Sequence, residues 1–242
     1  MTAFWTTWTV WSTNHEGLQR RSSPCPSVPS CEGEVTGLSF DEAALAASGA
    51  RLIPSARLAF ALACAERMLP NYLVFHRKVG WGRPETLRKA LDTAWEALIE
   101  GALPRDAELA ELELEVVACE PETEDFDTIL VSSALDAACA AGHVLATLRT
   151  RDVAEMVAVA SLARDSVDMY VQEAESMSAQ APDLEERIRL HPLMQAELRY
   201  QAELLLELDA DALDYRAVKR KHRAPLVGRL GHPIASLKDC KT

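Results

Sequence analysis

"RLAFALACAERMLPNY", residues 57–72, is apolar on every side of a helix for eight residues after Arg57, then meets an acid, a base, a proline and an asparagine. A helix with no polar face has to be covered all round, so this one lies at the centre of whatever the chain builds. Pro54 opens it, because a first-turn N–H has no intrahelical partner to lose. Pro70 pushes Leu69 away from helical geometry. The spacing therefore predicts a corner: a buried helix ending before Pro70, then a short helix through Tyr72 and "LVFHRKV", capped by Asn71. Arg67 stands where a helix C-terminus favours a cation, and Glu66 where the same dipole disfavours an acid. Glu66 thus needs a partner, and Arg67 is the nearest candidate.

Outward from this centre the apolar residues keep a helical period from Ser39 onward. "SFDE" sets Ser39 three residues before Glu42, the spacing of a capping box. "GRPETLRKALDTAWEALIEG" has Pro84 near its start and Gly101 at its end, with Leu87, Leu91, Trp95 and Leu98 as its inner stripe. A short acidic helix over 105–118 leads through "PETEDFD" into a helix that places Phe126, Leu130, Ala134, Ala141 and Leu148 on one face. Another helix runs from Asp152 to about Ser178, and a last long one from His191–Pro192 to about Lys221. "GWG", Gly80, Trp81 and Gly82, reads as a turn. The expected fold class is all-α, a compact bundle of about seven or eight helices with short connections.

The 242 residues are 48% hydrophobic and 26% charged, enough to bury a core. A net charge of −12 is unevenly placed. Residues 216–242 hold eight Lys/Arg against one acid, Asp239, while the first 215 residues hold 17 bases against 36 acids. An acidic body argues against general nucleic-acid binding, which needs basic surface to displace counterions from phosphates. The basic run "RAVKRKHR" supplies Arg216, Lys219, Arg220, Lys221 and Arg223. These cations complement the dipole at a solvated helix end; contact with an acidic partner or with nucleic acid is the sharper reading. Residues 222–242 are expected to form a flexible basic tail. Residues 1–38 stand apart: Trp5, Trp8 and Trp11, then a Ser/Pro-rich stretch. They read as a disordered extension, or as a segment ahead of a true start at Val35. Arg20 and Arg21 follow the apolar part, the wrong order for a signal peptide. No stretch reaches the run of about 18 apolar residues that spans a bilayer.

Little here points to catalysis. No CxxC, no Glu-x-x-His and no pair of histidines at helical spacing is present, so no metal or cofactor is called for. Gly-rich phosphate loops and a G-x-S-x-G are also absent. The six cysteines read as reduced thiols. Asp165 and Asp168 share a face beside Arg164, an exposed acidic surface. Glu66 and Asp136 differ, being acids in apolar stretches that must be paired or lie at a helix edge. The structural reading is a buried Glu66–Arg67 pair. The functional one is a polar pocket floored by Glu66, Asp136 and His143, which lies seven residues beyond Asp136 on the same face.

"CAERMLPNYLVFHRKVGWG" resembles the signature of the YjaG-like bacterial proteins, known as domain of unknown function 416. The resemblance is carried by Cys64, Glu66, Arg67, Met68, Pro70, Asn71, Tyr72, Phe75, Gly80, Trp81 and Gly82. "EDFD" at 124–127, "SALDAACA" at 133–140 and "HPLMQAELRYQAELL" are similar to further segments of that family, in the same order. The likeness spans about residues 50–215. It implies an all-helical cytoplasmic domain and brings no reaction, substrate, cofactor or catalytic residue with it.

The reading of function that follows is a non-catalytic interaction domain presenting an acidic surface to a protein partner. The alternative is a small-molecule-binding protein or enzyme with a polar pocket around Glu66, Arg67 and Asp136. A cytoplasmic location is expected, with no membrane contact and with nucleic acid reached only through the basic tail.

Overall fold

Because "RLAFALACA" has no polar face, its helix becomes the axis of the structure. A computed structural model describes residues 37–210 and 212–223. The expectations about the N-terminal extension (residues 1–36 of it) and about the tail beyond residue 223 lie outside the described residues. The elements are α1 (Glu42–Arg51), α2 (Pro54–Val79), α3 (Pro84–Glu100), α4 (Asp106–Val117), a 3-10 turn (Thr123–Asp125), α5 (Leu130–Thr150), α6 (Val153–Ala174), α7 (Leu184–Leu190), α8 (Pro192–Leu208) and α9 (Tyr215–His222). Among the described residues there is no strand, and the fold is all-α as its apolar spacing implies. Among the described residues nine α-helices stand where about seven or eight were expected.

α2 packs most extensively on α5 and is further covered by α3, α6, α8 and α9. Its residues from Leu58 to Ala65 are buried without interruption. A second, smaller apolar cluster joins Val167 and Val171 of α6 to Ile188 of α7 and Met194 and Leu198 of α8. α2 and α5 are long and apolar enough to cross a membrane, yet 83% and 61% of their apolar windows are buried inside the bundle. Core helices of a bundle have that character.

The expected corner at Pro70 does not exist. α2 runs straight through it, and Pro70, Asn71 and Tyr72 are buried mid-helix residues rather than a cap and a new start. Proline inside a helix removes one hydrogen bond and crowds the carbonyl one turn back, here that of Glu66, at about 3 kcal/mol. Burial of Met68, Leu69, Tyr72 and Phe75 offsets this penalty, since each buried large apolar side chain is worth about 1.5–3 kcal/mol. Asn71 caps nothing, and neither atom of its amide meets a hydrogen-bond partner among the described residues.

Other boundaries moved for local reasons. Asp41, not Ser39, caps α1, its carboxylate accepting from the Ala44 N–H at 2.9 Å. Phe126 lies outside α5, in extended backbone, where its ring meets Phe75 edge-on with centroids 5.0 Å apart. The long last helix breaks after Leu208, and Asp214 restarts it as α9 by accepting from the Arg216 N–H. α9 is no loose tail. Val218 is buried in the core, and Tyr215 donates to Ser55 at 2.8 Å. Lys221 meets Glu207, Arg220 meets Asp214 and Arg223 meets Asp92. The helical domain therefore includes His222 and Arg223.

The turn after α2 is as read. Gly80 ends the helix at φ 70 and donates its N–H to the His76 carbonyl at 2.8 Å. Gly82, at φ 88, lies against Tyr72, whose hydroxyl donates to the Cys119 carbonyl at 2.8 Å. A Cβ on Gly82 would sit 2.9 Å from Tyr72 Cζ and closer to the hydroxyl, whereas one on Gly80 meets nothing. Gly80→Ala should therefore cost about 1–2 kcal/mol, the left-handed backbone term alone. Gly82→Ala should add an overpacking penalty of about 1–3 kcal/mol. Urea melts of the two variants check the order.

Candidate functional site

Glu66 lies at the middle of α2, fully buried, on the face turned to α3. Arg88 and Trp95, seven residues apart on α3, share one side of that helix and both reach the carboxylate. Arg88 Nη1 donates to Oε2 at 2.7 Å and Nη2 to Oε1 at 2.5 Å, the two-pronged geometry for which a guanidinium is built. Trp95 Nε1 donates to Oε1 at 2.9 Å. Arg88 Nε also stands 3.3 Å from Asp92, which meets Arg223, the residue that ends α9, at 2.7 Å. A line of alternating charge thus runs from the core to the C-terminal helix.

Arg67 is not the partner of Glu66. One residue further round α2, it points to α8 and pairs with Glu197 at 2.7 Å. Its guanidinium lies 3.8 Å from the centre of the Tyr200 ring, a cation–π stack. Gln201 donates to Glu197 at 3.0 Å and to the Ala160 carbonyl at 3.1 Å. The Tyr200 hydroxyl donates to the Ala63 carbonyl at 3.3 Å and shares a 2.9 Å hydrogen bond with His222 Nδ1. Burial pushes the neighbouring Cys64 thiol well up, away from the thiolate that nucleophilic chemistry uses.

Asp136 and His143 do share a face of α5, as their spacing implies, and that face meets α6. Ser166 donates to Asp136 at 2.7 Å, and His143 Nδ1 donates to Glu155 at 2.7 Å. Burial raises Asp136 to about 6; the Ser166 bond opposes the rise and the Asp165 charge adds to it. Glu66, Asp136 and His143 therefore do not floor one pocket through these contacts. Glu66 turns to α3, the other two to α6. Arg164 pairs with Asp165 at 2.8 Å, and Asp165 and Asp168 are half-buried rather than the exposed acidic surface expected. Among the described residues no group of three or more His, Cys, Asp or Glu is placed to hold a metal ion.

Arg88 and Glu197 were missed by sequence reasoning, although a signal existed for Arg88. It stands one heptad before Trp95, which places a cation on the stripe already assigned to the core. Glu197 and Gln201, one turn apart on α8, carried a similar signal, each standing three residues beyond an apolar residue of the inner stripe, Met194 and Leu198.

Replacing one member of the α2–α3 pair leaves the other charge buried and unmatched, which costs about 3–5 kcal/mol. Glu66→Gln and Arg88→Met should each lower the urea midpoint accordingly, and the Glu66→Leu/Arg88→Met double variant should lose less than the two together. Asp136 behaves oppositely to a salt-bridged acid. Its folded pKa of about 6 lies above the usual carboxylate range, so its favourable contribution is full below about pH 4 and disappears as pH rises through about 6. Asp136→Asn should therefore match the parent near pH 4 and exceed it in stability by pH 8, a crossover that thermal melts across pH will show.

Comparisons with known proteins agree with this architecture. A family model described as "Protein of unknown function (DUF416)" matches residues 50–224. An uncharacterized protein, YjaG of Escherichia coli strain K12, is 33% identical over 87 residues, covering 35% of this chain and 42% of that protein. The chain thus matches less than half the length of that relative. A crystal structure of a DUF416 family protein from Shewanella baltica OS155 superposes with a TM-score of 0.66 at 24% identity, covering 76% of this chain and 93% of the other. That likeness speaks to the fold. With more than half of its length inside the family model, the chain belongs to the DUF416 family of proteins of unknown function.

Proposed function

We propose that this protein is a non-catalytic interaction domain whose acidic surface docks a basic protein partner. One observation carries the reading: α4, twelve residues on the outside of the bundle, bears five acids and no base, and although Glu108, Glu113 and Glu115 meet Arg105, Arg149 and Lys89, the helix and these neighbours together stay acidic. The acids of the interior are taken up in framing the fold. Glu66 is held by Arg88 and Trp95, Glu197 by Arg67, and Asp136 by Ser166. The acid excess of the body is left to the exterior, where it sets partner choice and association rate. The rival reading, a small-molecule site around Glu66, Arg67 and Asp136, requires these groups to converge. Arg88, Glu197 and Ser166, which bond them, lie on α3, α8 and α6, three different helices.

The test is capture from the native cell on the tagged full chain, followed by reconstitution with the purified partner. The expected partner is basic and its Kd weakens by about tenfold or more as salt is raised from low to physiological strength. A partner bound with no salt dependence overturns the acidic-surface reading. Thermal stabilisation of the chain by a small metabolite, in the absence of any protein partner, would favour the rival.

A further inference from the structure

α4 is apolar on two opposite sides. Leu109, Leu112 and Val116 are buried against the bundle. Ala107, Ala110, Leu114, Val117 and Ala118 fall on the other side and are all exposed, Leu114 by 72% and Val117 by 56%. At 3.6 residues per turn these five form one ridge along the helix. The same geometry sets Asp106 and Glu113 along one border of the ridge and Glu108, Glu111 and Glu115 along the other. Arg149, Arg105 and Lys89 pair with Glu113, Glu108 and Glu115, so Asp106 on one border and Glu111 on the other carry the acid excess. On the second border a cleft of about 310 Å³ opens between α3 and α4, lined by Thr93, Pro104, Leu109 and Leu112 together with Glu108, Glu111 and one cation, Lys89, which pairs with Glu115. Among the described residues the remaining large exposed apolar side chains are scattered over other elements, such as Ile53, Met169 and Leu206. Near α4 they gather, with Leu103 exposed in the turn that leads into it. A gathered, acid-bordered apolar ridge marks a contact surface in a way that scattered residues do not.

We infer that this face of α4 receives an amphipathic helix from a basic protein partner. The partner's apolar stripe lies on Leu114 and Val117, one bulky side chain enters the α3–α4 cleft, and Lys or Arg residues flank the stripe on both sides. This deepens the interaction reading above and rests on it. Charge selects the occupant. A second copy of the chain would bring acid borders against acid borders, and like charges so placed oppose association. An anionic lipid surface is repelled for the same reason. Helix-in-groove recognition by anchors at i, i+3, i+4 and i+7 fits a ridge beside a cleft.

The full chain can be titrated into a fluorescent synthetic peptide of leucine and lysine arranged as an amphipathic helix, with a scrambled peptide of equal composition as the control. Saturable, salt-sensitive binding of the amphipathic peptide is expected, with the scrambled one weaker. Leu114→Glu and Glu111→Lys, both at exposed positions, should each weaken binding by about tenfold or more. Leu206→Glu, on an equally exposed leucine of α8, should leave it unchanged; circular dichroism confirms that each variant is folded. If binding stays salt-sensitive but Leu114→Glu behaves like Leu206→Glu, the α4 face is the wrong surface while the acidic-partner reading stands. Equal binding of the scrambled peptide, or none of either, overturns the helix-docking inference. Concentration-dependent dimerisation abolished by Leu114→Glu would assign the ridge to a second copy and overturn the choice of partner.

Discussion

A single carboxylate governs how this bundle is put together. Glu66 sits with no exposed surface in the middle of the longest helix, and a charge in that position is tolerated only when another element answers it with matched donors. α3 supplies both, Arg88 and Trp95, from one of its faces. The forked geometry admits one rotation of α3 and one register of α3 along α2. Asp92 and Arg223 continue the line of charge to α9, so the C-terminal helix is placed by the same network. Such pairs add little net stability over an apolar replacement, because desolvation consumes most of the attraction. Their consequence here is geometric.

The same principle recurs around the core. Arg67, the neighbour of Glu66 in sequence, faces a different way and answers Glu197 on α8. Asp136 on α5 is answered by Ser166 on α6, and His143 by Glu155 on the same pair of helices. The buried and half-buried acids thus tie three helix pairs, α2 with α3, α2 with α8 and α5 with α6, as orienting contacts in the polar interior. α4 is tied in the same way, Glu113 pairing with Arg149 of α5 at 2.9 Å and Glu115 with Lys89 of α3 at 3.0 Å. Its buried face closes over α3 and α5, and its outer face keeps exposed apolar residues.

Parts of this were legible in the chain because they depend on neighbours in sequence. Pro54, Pro84 and Gly101 punctuate helices through local steric and hydrogen-bonding rules, and they do so here. The seven-residue interval between Asp136 and His143 puts both on one face, and both indeed reach α6. Pro70 obeys the same local rules, yet α2 continues through it, because burial of the residues on either side outweighs one lost hydrogen bond. Likewise the partner of Glu66 is 22 residues away and that of Arg67 is 130 away, separations over which no local rule speaks.

The sequence by itself thus determined the all-α class, the central place of the helix from Pro54 and the need of Glu66 for a partner. Those follow from helical period, amphipathicity and the penalty for burying a charge, all of which act on the chain before it folds. Only the tertiary structure decided which cation meets which acid, that the expected corner is a continuous helix, and that the basic run packs onto the body as α9. These depend on which faces come together when the apolar surfaces close, and a one-residue step round α2, from Glu66 to Arg67, is enough to send two adjacent charges to two different helices.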